Sequence, residues 1–217
     1  MPLPLNSMNW WLWIAVRMTA IKSGLTLRVS LTFPIVTMLD RESTSITSYT
    51  PVELPHYLQV EPYIRDALSQ YGYDERVLDS AVEARLSRRP SSLRRPGSFT
   101  FYLSEAALNG GLGSLTVTHE QLAYLTTVSS LPPFHIRLVP ADTPLTGIRA
   151  GFTLYRHSEY RPVLHLQQPT TSLFLENDTD ITFYESRLQH IASLALSRDE
   201  TRKQLTDRLA EIKPQSA

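Results

Sequence analysis

Apolar residues along this chain recur with two different spacings. In the first half of the chain and at its end they return every three or four residues, which is the period of an amphipathic helix. Between residues 134 and 175 they alternate with polar residues in short runs, which predicts strands. The predicted helices cover residues 34–45, 62 onward, 74–89, 118–130, 180 onward and 198 onward, and the predicted strands cover 99–103, 134–139, 151–155, 163–167 and 172–175.

Proline and capping residues set the ends of several of these elements. Pro55 favours an extended conformation for the residue before it, and Pro62 is tolerated in the first turn of a helix because the missing N–H has no helical partner there. The region from 45 to 68 is therefore predicted to contain an extended run, a bend and then a helix. Ser197 and Glu200 have the spacing of a capping box, which predicts a break before the last helix.

The spacing also predicts the core and the fold class. The residues expected to face inward are Ile35, Leu39 and Ile46 in the first helix, Tyr63, Ala67 and Tyr71 in the second, Leu122, Leu125 and Val128 in the helix at 118–130, and Leu205, Leu209 and Ile212 in the last. Connections between the strands from 134 to 175 are too short for crossover helices, so neighbouring strands there are expected to pair largely antiparallel. The prediction is an α+β fold, in which a small, largely antiparallel β-sheet packs against several helices and the chain ends in a helical pair.

Composition narrows the function classes. The 217 residues are 42% hydrophobic and 19% charged, and the 21 basic and 21 acidic side chains balance, so no global field attracts nucleic acid or an anionic membrane. The absence of cysteine excludes disulfides, thiolate zinc sites and cysteine nucleophiles. The apolar run Trp10–Val16 is far shorter than the roughly 20 residues of a spanning helix, and no basic residue precedes it as in a signal peptide. A cytoplasmic location is expected.

A motif stands at the start of the well-patterned part of the chain. The residues Tyr49, Pro51, Leu54, Pro55, Leu58, Gln59, Glu61 and Tyr63 match the pattern Tyr-Glu-Pro-x-Leu-Val-Pro-Gly-Leu-Leu-Gln-Thr-Glu-x-Tyr-Ala. Shorter matches follow in the same order, including Glu105, Ala107 and Leu108, then Gln121, Leu122 and Leu125, and finally Ala195, Leu196 and Ser197. On these residues the chain resembles, from about Asp40 to Ile212, the C-terminal effector domain of actinobacterial helix-turn-helix regulators of the antitoxin-like, sporulation-associated type.

The resemblance also implies an organisation of the chain. Members of that family carry a DNA-binding head of the Cro/repressor type, which needs roughly 60–70 residues, before this domain. About 39 residues precede the match here, and they lack a convincing helix-turn-helix pattern. We therefore expect a non-family segment at 1–39 that is either disordered or mis-translated, an effector domain at 40–213 and a tail at 214–217. A stand-alone domain is the alternative explanation, and in neither case is direct DNA binding by this chain expected.

The function implied by the resemblance is regulatory and not enzymatic. The implied partner is a small toxin-like protein encoded nearby or another regulator, with a homodimer as a further alternative and with no membrane and no cofactor. An alternative interpretation is a small-molecule sensor whose apolar pocket would be lined by Tyr102, Phe152, Tyr155 and Phe174. Aromatic residues at strand spacing are more often core, so the interaction domain is the preferred hypothesis.

One basic cluster is the main candidate for partner binding. It consists of Arg85, Arg88, Arg89, Arg94 and Arg95. Cations at the end of a helix are favourable for electrostatic reasons alone, whereas a cluster of them can also contact an anionic partner. Arg85 and Arg88 match a repeated Arg-x-x-Arg of the family, and together with Tyr63 and Gln59 they are the predicted partner-binding residues.

The sequence offers no strong candidate for catalysis or for a metal site. His119 and Glu120 begin the pattern of a zinc-protease helix, but Ala123 stands where the second histidine is required. The remaining histidines have no ligand spacing, and no Gly-x-Ser-x-Gly elbow is present. We therefore predict no catalytic, metal-binding or cofactor-binding residues.

Overall fold

The computed structural model describes residues 25–72, 74–87, 97–109, 114–145, 148, 150–168 and 171–212, with side chains from Thr32 onward except those of Phe33 and Asn109. Within these ranges the chain forms seven α-helices, a single 3-10 turn and seven strands. The helices are α1 Val29–Glu42, α2 Glu61–Gln70, α3 Glu75–Leu86, α4 Glu105–Asn109, α5 Leu115–Ser129, α6 Asp178–Leu194 and α7 Arg198–Glu211, and the 3-10 turn is His56–Leu58. The strands are β1 Leu25–Arg28, β2 Ser45–Thr50, β3 Ser98–Ser104, β4 Phe134–Val139, β5 Phe152–Arg156, β6 Val163–Gln167 and β7 Thr171–Leu175.

The strands form one sheet in the order β1-β7-β6-β5-β2-β3-β4. The pairs β1–β7, β7–β6, β6–β5 and β5–β2 are antiparallel, whereas β2–β3 and β3–β4 are parallel. The α+β prediction with a largely antiparallel sheet is therefore confirmed, although the sheet is mixed. The expected pairing of β4 with its chain neighbour β5 is wrong, because β5 pairs with β2 near the sheet centre and β4 lies at an edge.

Helices cover both faces of the sheet, so strands β2 to β7 contribute to two hydrophobic clusters. Ile46 and Tyr155 face the cluster that contains residues of α1, α5 and α7. Tyr49 and Leu154 face the other side, which α6 covers. On the first side α2 approaches α5, and α3 packs on the outer side of α2 through a small cluster of its own.

The outer side of the edge strand β4 is covered by the junction of α6 and α7. The amide of Leu138 donates to the buried Thr201 hydroxyl at 3.0 Å, and its carbonyl accepts from the amide of Leu196 at 2.8 Å. The guanidinium of Arg198 donates to the carbonyl of Phe134 at 3.0 Å. Because an uncovered edge strand is a template for unwanted pairing, these contacts protect the sheet as well as attach the helical pair to it.

The predicted capping box is confirmed, since Ser197 and Glu200 form both of its hydrogen bonds at α7. The Asp74 carboxylate accepts from the amide of Arg76 and caps α3. The helix expected at 118–130 begins earlier, at Leu115, because the Ser114 hydroxyl caps it. Leu122, Leu125, Val128 and Leu205 are buried as expected, with Leu209 and Ile212 packed against the same core.

Two of the expected positions differ. Ile46 is fully buried, but in strand β2 and not on the first helix, because the helix ends at Glu42. Tyr71 is 52% exposed, since it follows the last residue of α2 instead of lying on its inner face. The stretch from residue 45 is extended as expected, and it supplies a central strand of the sheet.

Regular structure begins before residue 39, the expected end of the non-family segment. β1 pairs with β7 from Leu25 to Arg28, and Val36 and Leu39 of α1 are buried in the core. The run Trp10–Val16 and the expected tail at 214–217 lie outside the described residues. Among the helices that the structure describes, none has the length and apolar character needed to cross a bilayer.

Candidate interaction site

The motif segment from Leu54 to Val60 is held by side chains close to it in sequence. The amide of Leu54 donates to the Tyr63 hydroxyl at 3.3 Å, and the carbonyl of Leu54 accepts from Nε2 of Gln59 at 2.7 Å. Both Gln59 and Tyr63 are buried, with 2% and 6% of their surface exposed. Their polar atoms thus fix the bend between β2 and α2, in a segment without the backbone ladder of a helix or sheet.

A glutamine of α5 holds the same segment from the other side. Nε2 of Gln121 donates to the carbonyl of Leu58 at 2.6 Å, and Oε1 of Gln121 accepts from the amide of Val60 at 2.8 Å. Gln121 is buried, and it points at the segment because α2 and the 3-10 turn pack against α5. One side chain therefore satisfies two backbone groups that no regular element would satisfy.

The segment is also attached to α1. The Tyr57 hydroxyl donates a short hydrogen bond to the buried carboxylate of Asp40, and Nε2 of His56 lies 3.7 Å from the other carboxylate oxygen. The ring of Tyr57 packs on Phe101 of the sheet with a centroid distance of 5.7 Å. A buried carboxylate is costly without partners, so these contacts fix the position of the 3-10 turn relative to α1.

Next to this segment lies the Arg85 cluster, which we define as Glu53, Gln59, Tyr63, Tyr71 and Arg85. The guanidinium of Arg85, in the last turn of α3, donates to Oε1 of Gln59 at 3.5 Å. The Tyr71 hydroxyl donates a short hydrogen bond to the carboxylate of Glu53. The cluster therefore connects the loop after β2 with α2 and α3.

The backbone after α2 places Tyr71 at the rim of this cluster. The Tyr71 amide donates to the carbonyl of Ala67, and Gly72 then adopts a φ of 77°. This left-handed conformation ends the helix at little cost only for glycine. The chain consequently changes direction directly after Tyr71, and the ring of Tyr71 is half exposed.

Burial and charge act in opposite directions in the Arg85 cluster. Burial raises the pKa of Glu53, and the nearby positive charge of Arg85 opposes that rise. Burial also raises the pKa of Tyr63, so its hydroxyl stays protonated. Arg85 thus stabilises a partly buried carboxylate that would otherwise be unfavourable.

Three of the four predicted partner-binding residues come together here. Gln59, Tyr63 and Arg85 lie in one cluster, whereas Arg88 is outside the described residues, as are Arg89, Arg94 and Arg95. The polar atoms of Gln59 and Tyr63 are used internally, so the groups presented to solvent are those around them. Val52 is 67% exposed and Tyr71 is 52% exposed. Glu53 and Arg85 are partly exposed, whereas Gln59 and Tyr63 are buried.

Sequence reasoning missed Glu53 and Tyr71. They are 18 residues apart and lie in different elements, so no short spacing connects them. The motif matches include Gln121 but do not indicate what its side chain does. One feature of the sequence points to that role: Gln121 stands among apolar, inward-facing positions of α5, and a buried amide requires polar partners.

The aromatic residues proposed to line one sensor pocket do not share a site. Tyr102 and Phe152 belong to the cluster beneath α6, whereas Tyr155 and Phe174 belong to the cluster on the opposite face of the sheet. All four are buried, the most exposed being Tyr102 at 8%. The sheet itself separates the two pairs, so the single pocket they were expected to form is absent from this structure.

Within the described part of the chain, no three or more histidine, aspartate or glutamate side chains are grouped as a metal site requires. His119 lies on α5 as part of an ordinary helix.

The chain forms an α+β domain in which helices cover both faces of the sheet. Its outer helices and the loop after β2 carry a partly exposed surface that includes Tyr71, Glu53 and Arg85. A family model described as "Domain of unknown function (DUF5753)" matches residues 33–207. This chain belongs to that family. No curated protein matches the chain by sequence.

Among solved structures, the chain is similar to TrmBL2, an archaeal chromatin protein described as having a novel mode of DNA binding. The two share 7% identity with a TM-score of 0.35, and the similarity covers 86% of this chain and 60% of that one. This chain thus spans less than two thirds of that structure. A likeness at this level carries no argument about fold or function.

Proposed function

We propose that this chain is the regulatory, protein-interaction domain of an antitoxin-like helix-turn-helix transcription regulator, acting in the cytoplasm and without catalysis. Its partner is a small toxin-like protein encoded nearby or another regulator, and direct DNA binding is not part of the proposal. The motifs from Tyr49 to Ser197 support the regulator class. The observation that carries the interaction role is the exposed surface formed by Val52, Tyr71 and the rim of the Arg85 cluster.

The physical character of this surface suits a protein partner. Aromatic and arginine side chains contribute most to the affinity of protein interfaces, and here Tyr71 and Arg85 lie close together through their contacts with Glu53 and Gln59. Val52 adds an exposed apolar side chain directly beside Glu53. The buried hydrogen bonds of Gln59, Tyr63 and Gln121 hold the backbone beneath it, which lowers the cost of ordering a binding surface.

Binding to the small protein encoded beside the gene tests the proposal. Calorimetric titration of this chain with that protein is expected to show saturable binding, weakened at least tenfold by Tyr71→Ala and by Arg85→Glu. Val77→Ala is the matched control for the tyrosine, because Val77 is an exposed apolar residue of similar accessibility on α3. Arg202→Glu on α7 is the control for the arginine. Absence of binding, or equal loss in the controls, would overturn the assigned surface.

A second experiment separates the interaction role from DNA binding. Fluorescence anisotropy with duplex DNA from the upstream region of the gene is expected to show only weak, salt-sensitive and sequence-independent binding. Specific binding of the purified chain at physiological salt would contradict the proposal. The same titration with the partner protein added shows whether the pair behaves differently from the single chain.

A further inference from the structure

One buried carboxylate of α1 contacts two consecutive residues of the 3-10 turn. Asp40 is 2% exposed, and its two carboxylate oxygens face different side chains. The Tyr57 hydroxyl donates to Oδ1 of Asp40, and Nε2 of His56 lies 3.7 Å from Oδ2. The ring of His56 also lies against the ring of Tyr57, with 3.7 Å between the ring centroids. The turn is therefore attached to α1 at a place that includes a histidine.

His56 can change its charge near neutral pH. Histidine is the side chain that ordinarily titrates between about pH 5 and pH 8. The His56 side chain is 21% exposed, so it exchanges protons with solvent, whereas 1% of the Asp40 side chain is exposed. Because Asp40 is buried, salt screens an attraction between the two groups far less than it screens a surface ion pair.

The distance between the two groups makes their attraction depend on that proton. At 3.7 Å, Nε2 of His56 lies beyond ordinary hydrogen-bond distance from the Asp40 carboxylate but within the range of an ion pair. A neutral imidazole gains little from a carboxylate at this distance. A protonated one is attracted by the full charge and can close to a charge-assisted hydrogen bond of about 2.7–2.9 Å.

The other ionisable groups that the structure describes around this pair belong to different classes. Tyr57 lies on the turn itself, and the Tyr124 hydroxyl of α5 donates to the carbonyl of Tyr57 at 3.4 Å. A phenol ordinarily titrates near pH 10, far above the range of a histidine. The sheet contributes Phe101, which packs on Tyr57 and carries no charge. Arg41 and Glu42 end α1 with exposed side chains.

The turn lies in the middle of the motif segment, so the pair acts on all of it. The described contacts of Gln59, Tyr63 and Gln121 with this segment are hydrogen bonds of neutral groups, which do not change near neutral pH. The contact of the histidine with α1 does change. It therefore makes the position of the turn, and of the preceding loop that carries Val52 and Glu53, sensitive to pH.

We propose that His56 and Asp40 form a pH-sensitive latch between the 3-10 turn and α1. When His56 is protonated, the pair closes and holds the motif segment against α1. When the proton leaves, the segment is held less tightly. The latch is a property of the fold and does not depend on the proposed function.

Titration of the His56 ring by nuclear magnetic resonance measures the pairing. In the natural chain its pKa is expected to lie at least about one unit above its value in Asp40→Asn, which keeps an oxygen for the Tyr57 hydroxyl but removes the charge. His135 on β4 is the internal control, because burial and the nearby charge of Arg198 hold its pKa below the ordinary value in both chains. An equal pKa of His56 in the two folded chains would overturn the proposal.

Amide hydrogen exchange measures whether the pair holds the turn. The amide of Leu58 donates to the carbonyl of Pro55 at 2.8 Å within the turn. Its protection, corrected for the intrinsic exchange rate at each pH, is expected to be at least about threefold higher at about pH 5.5 than at about pH 8. His56→Gln is the matched control, because it keeps every other titrating group and should lose this gain. An equal gain in the two chains would overturn the latch even if the His56 pKa is raised.

Urea unfolding supplies a measurement that does not require Asp40→Asn to fold. A group that the folded state protonates more readily contributes stability at low pH and loses it as the pH rises through its folded-state pKa. The unfolding midpoint of the natural chain relative to His56→Gln is therefore expected to be higher at about pH 5.5 than at about pH 8. The same comparison with His135→Gln should change in the opposite direction, since the pKa of His135 is lowered. A relative midpoint for His56→Gln that is constant, or that falls toward acid, would overturn the proposal.

Discussion

Replacing Gln121 by leucine should destabilise the domain through the motif segment and not through the core of α5. The leucine retains most of the volume of glutamine but removes the donor to the carbonyl of Leu58 and the acceptor for the amide of Val60. A buried backbone group left without a partner costs about 1–3 kcal/mol. With two such groups and partial relaxation of the segment, the free energy of unfolding should fall by about 2–5 kcal/mol.

Urea unfolding followed by far-ultraviolet circular dichroism measures this loss. Glu120→Leu is the matched control, because it introduces the same side chain one position earlier, on the exposed side of α5. That control should change the free energy of unfolding by no more than about 0.5 kcal/mol, as surface substitutions usually do. A loss below about 1 kcal/mol in Gln121→Leu, or an equal loss in the control, would show that this side chain does not hold the segment.

Three further predictions concern other named contacts. Because burial raises the folded-state pKa of Glu53, the folded state binds protons more tightly than the unfolded state there. The stability of the natural chain relative to Glu53→Gln, measured by urea unfolding, should therefore rise as the pH falls through that pKa and decline as the pH rises. Thr201→Val leaves the edge amide of Leu138 without its acceptor and should lower the free energy of unfolding by about 1–3 kcal/mol, with a loss near zero contradicting the edge assignment. Gly151→Ala would place Cβ 2.9 Å from the carbonyl oxygen of Tyr49, so the melting temperature should fall. An unchanged melting temperature would show that β2 and the start of β5 can move apart without loss of stability.

The local structure of this chain was accessible from its sequence, because it depends on neighbouring residues. Strand β6 spans Val163–Gln167, the range predicted for it, and the capping box at Ser197 forms as its spacing predicts. Strand order was not accessible in the same way. The helix predicted at 118–130 between β3 and β4 is the kind of crossover that their parallel pairing requires, whereas the pairing of β5 with β2 joins strands about 100 residues apart and has no local signal.

The candidate site was also predictable only in part. The motif matches include Gln59, Tyr63 and Arg85, and the structure places these residues together. The motif could not show that the first two are buried supports, since burial depends on which elements pack over them. Nor could it show Glu53 and Tyr71, whose hydrogen bond depends on the turn at the end of α2.

This family member is proposed to bind another protein through the surface around Tyr71 and Arg85. Calorimetric titration of the chain, and of its Arg85→Glu variant, with a small protein encoded beside its gene examines that binding. Saturable binding by the natural chain and at least tenfold weaker binding by the variant are expected at a temperature at which circular dichroism shows both chains folded, since loss of the Arg85 charge beside Glu53 lowers the melting temperature of the variant. No binding by a folded natural chain, or equal affinity for the two, would contradict the proposal.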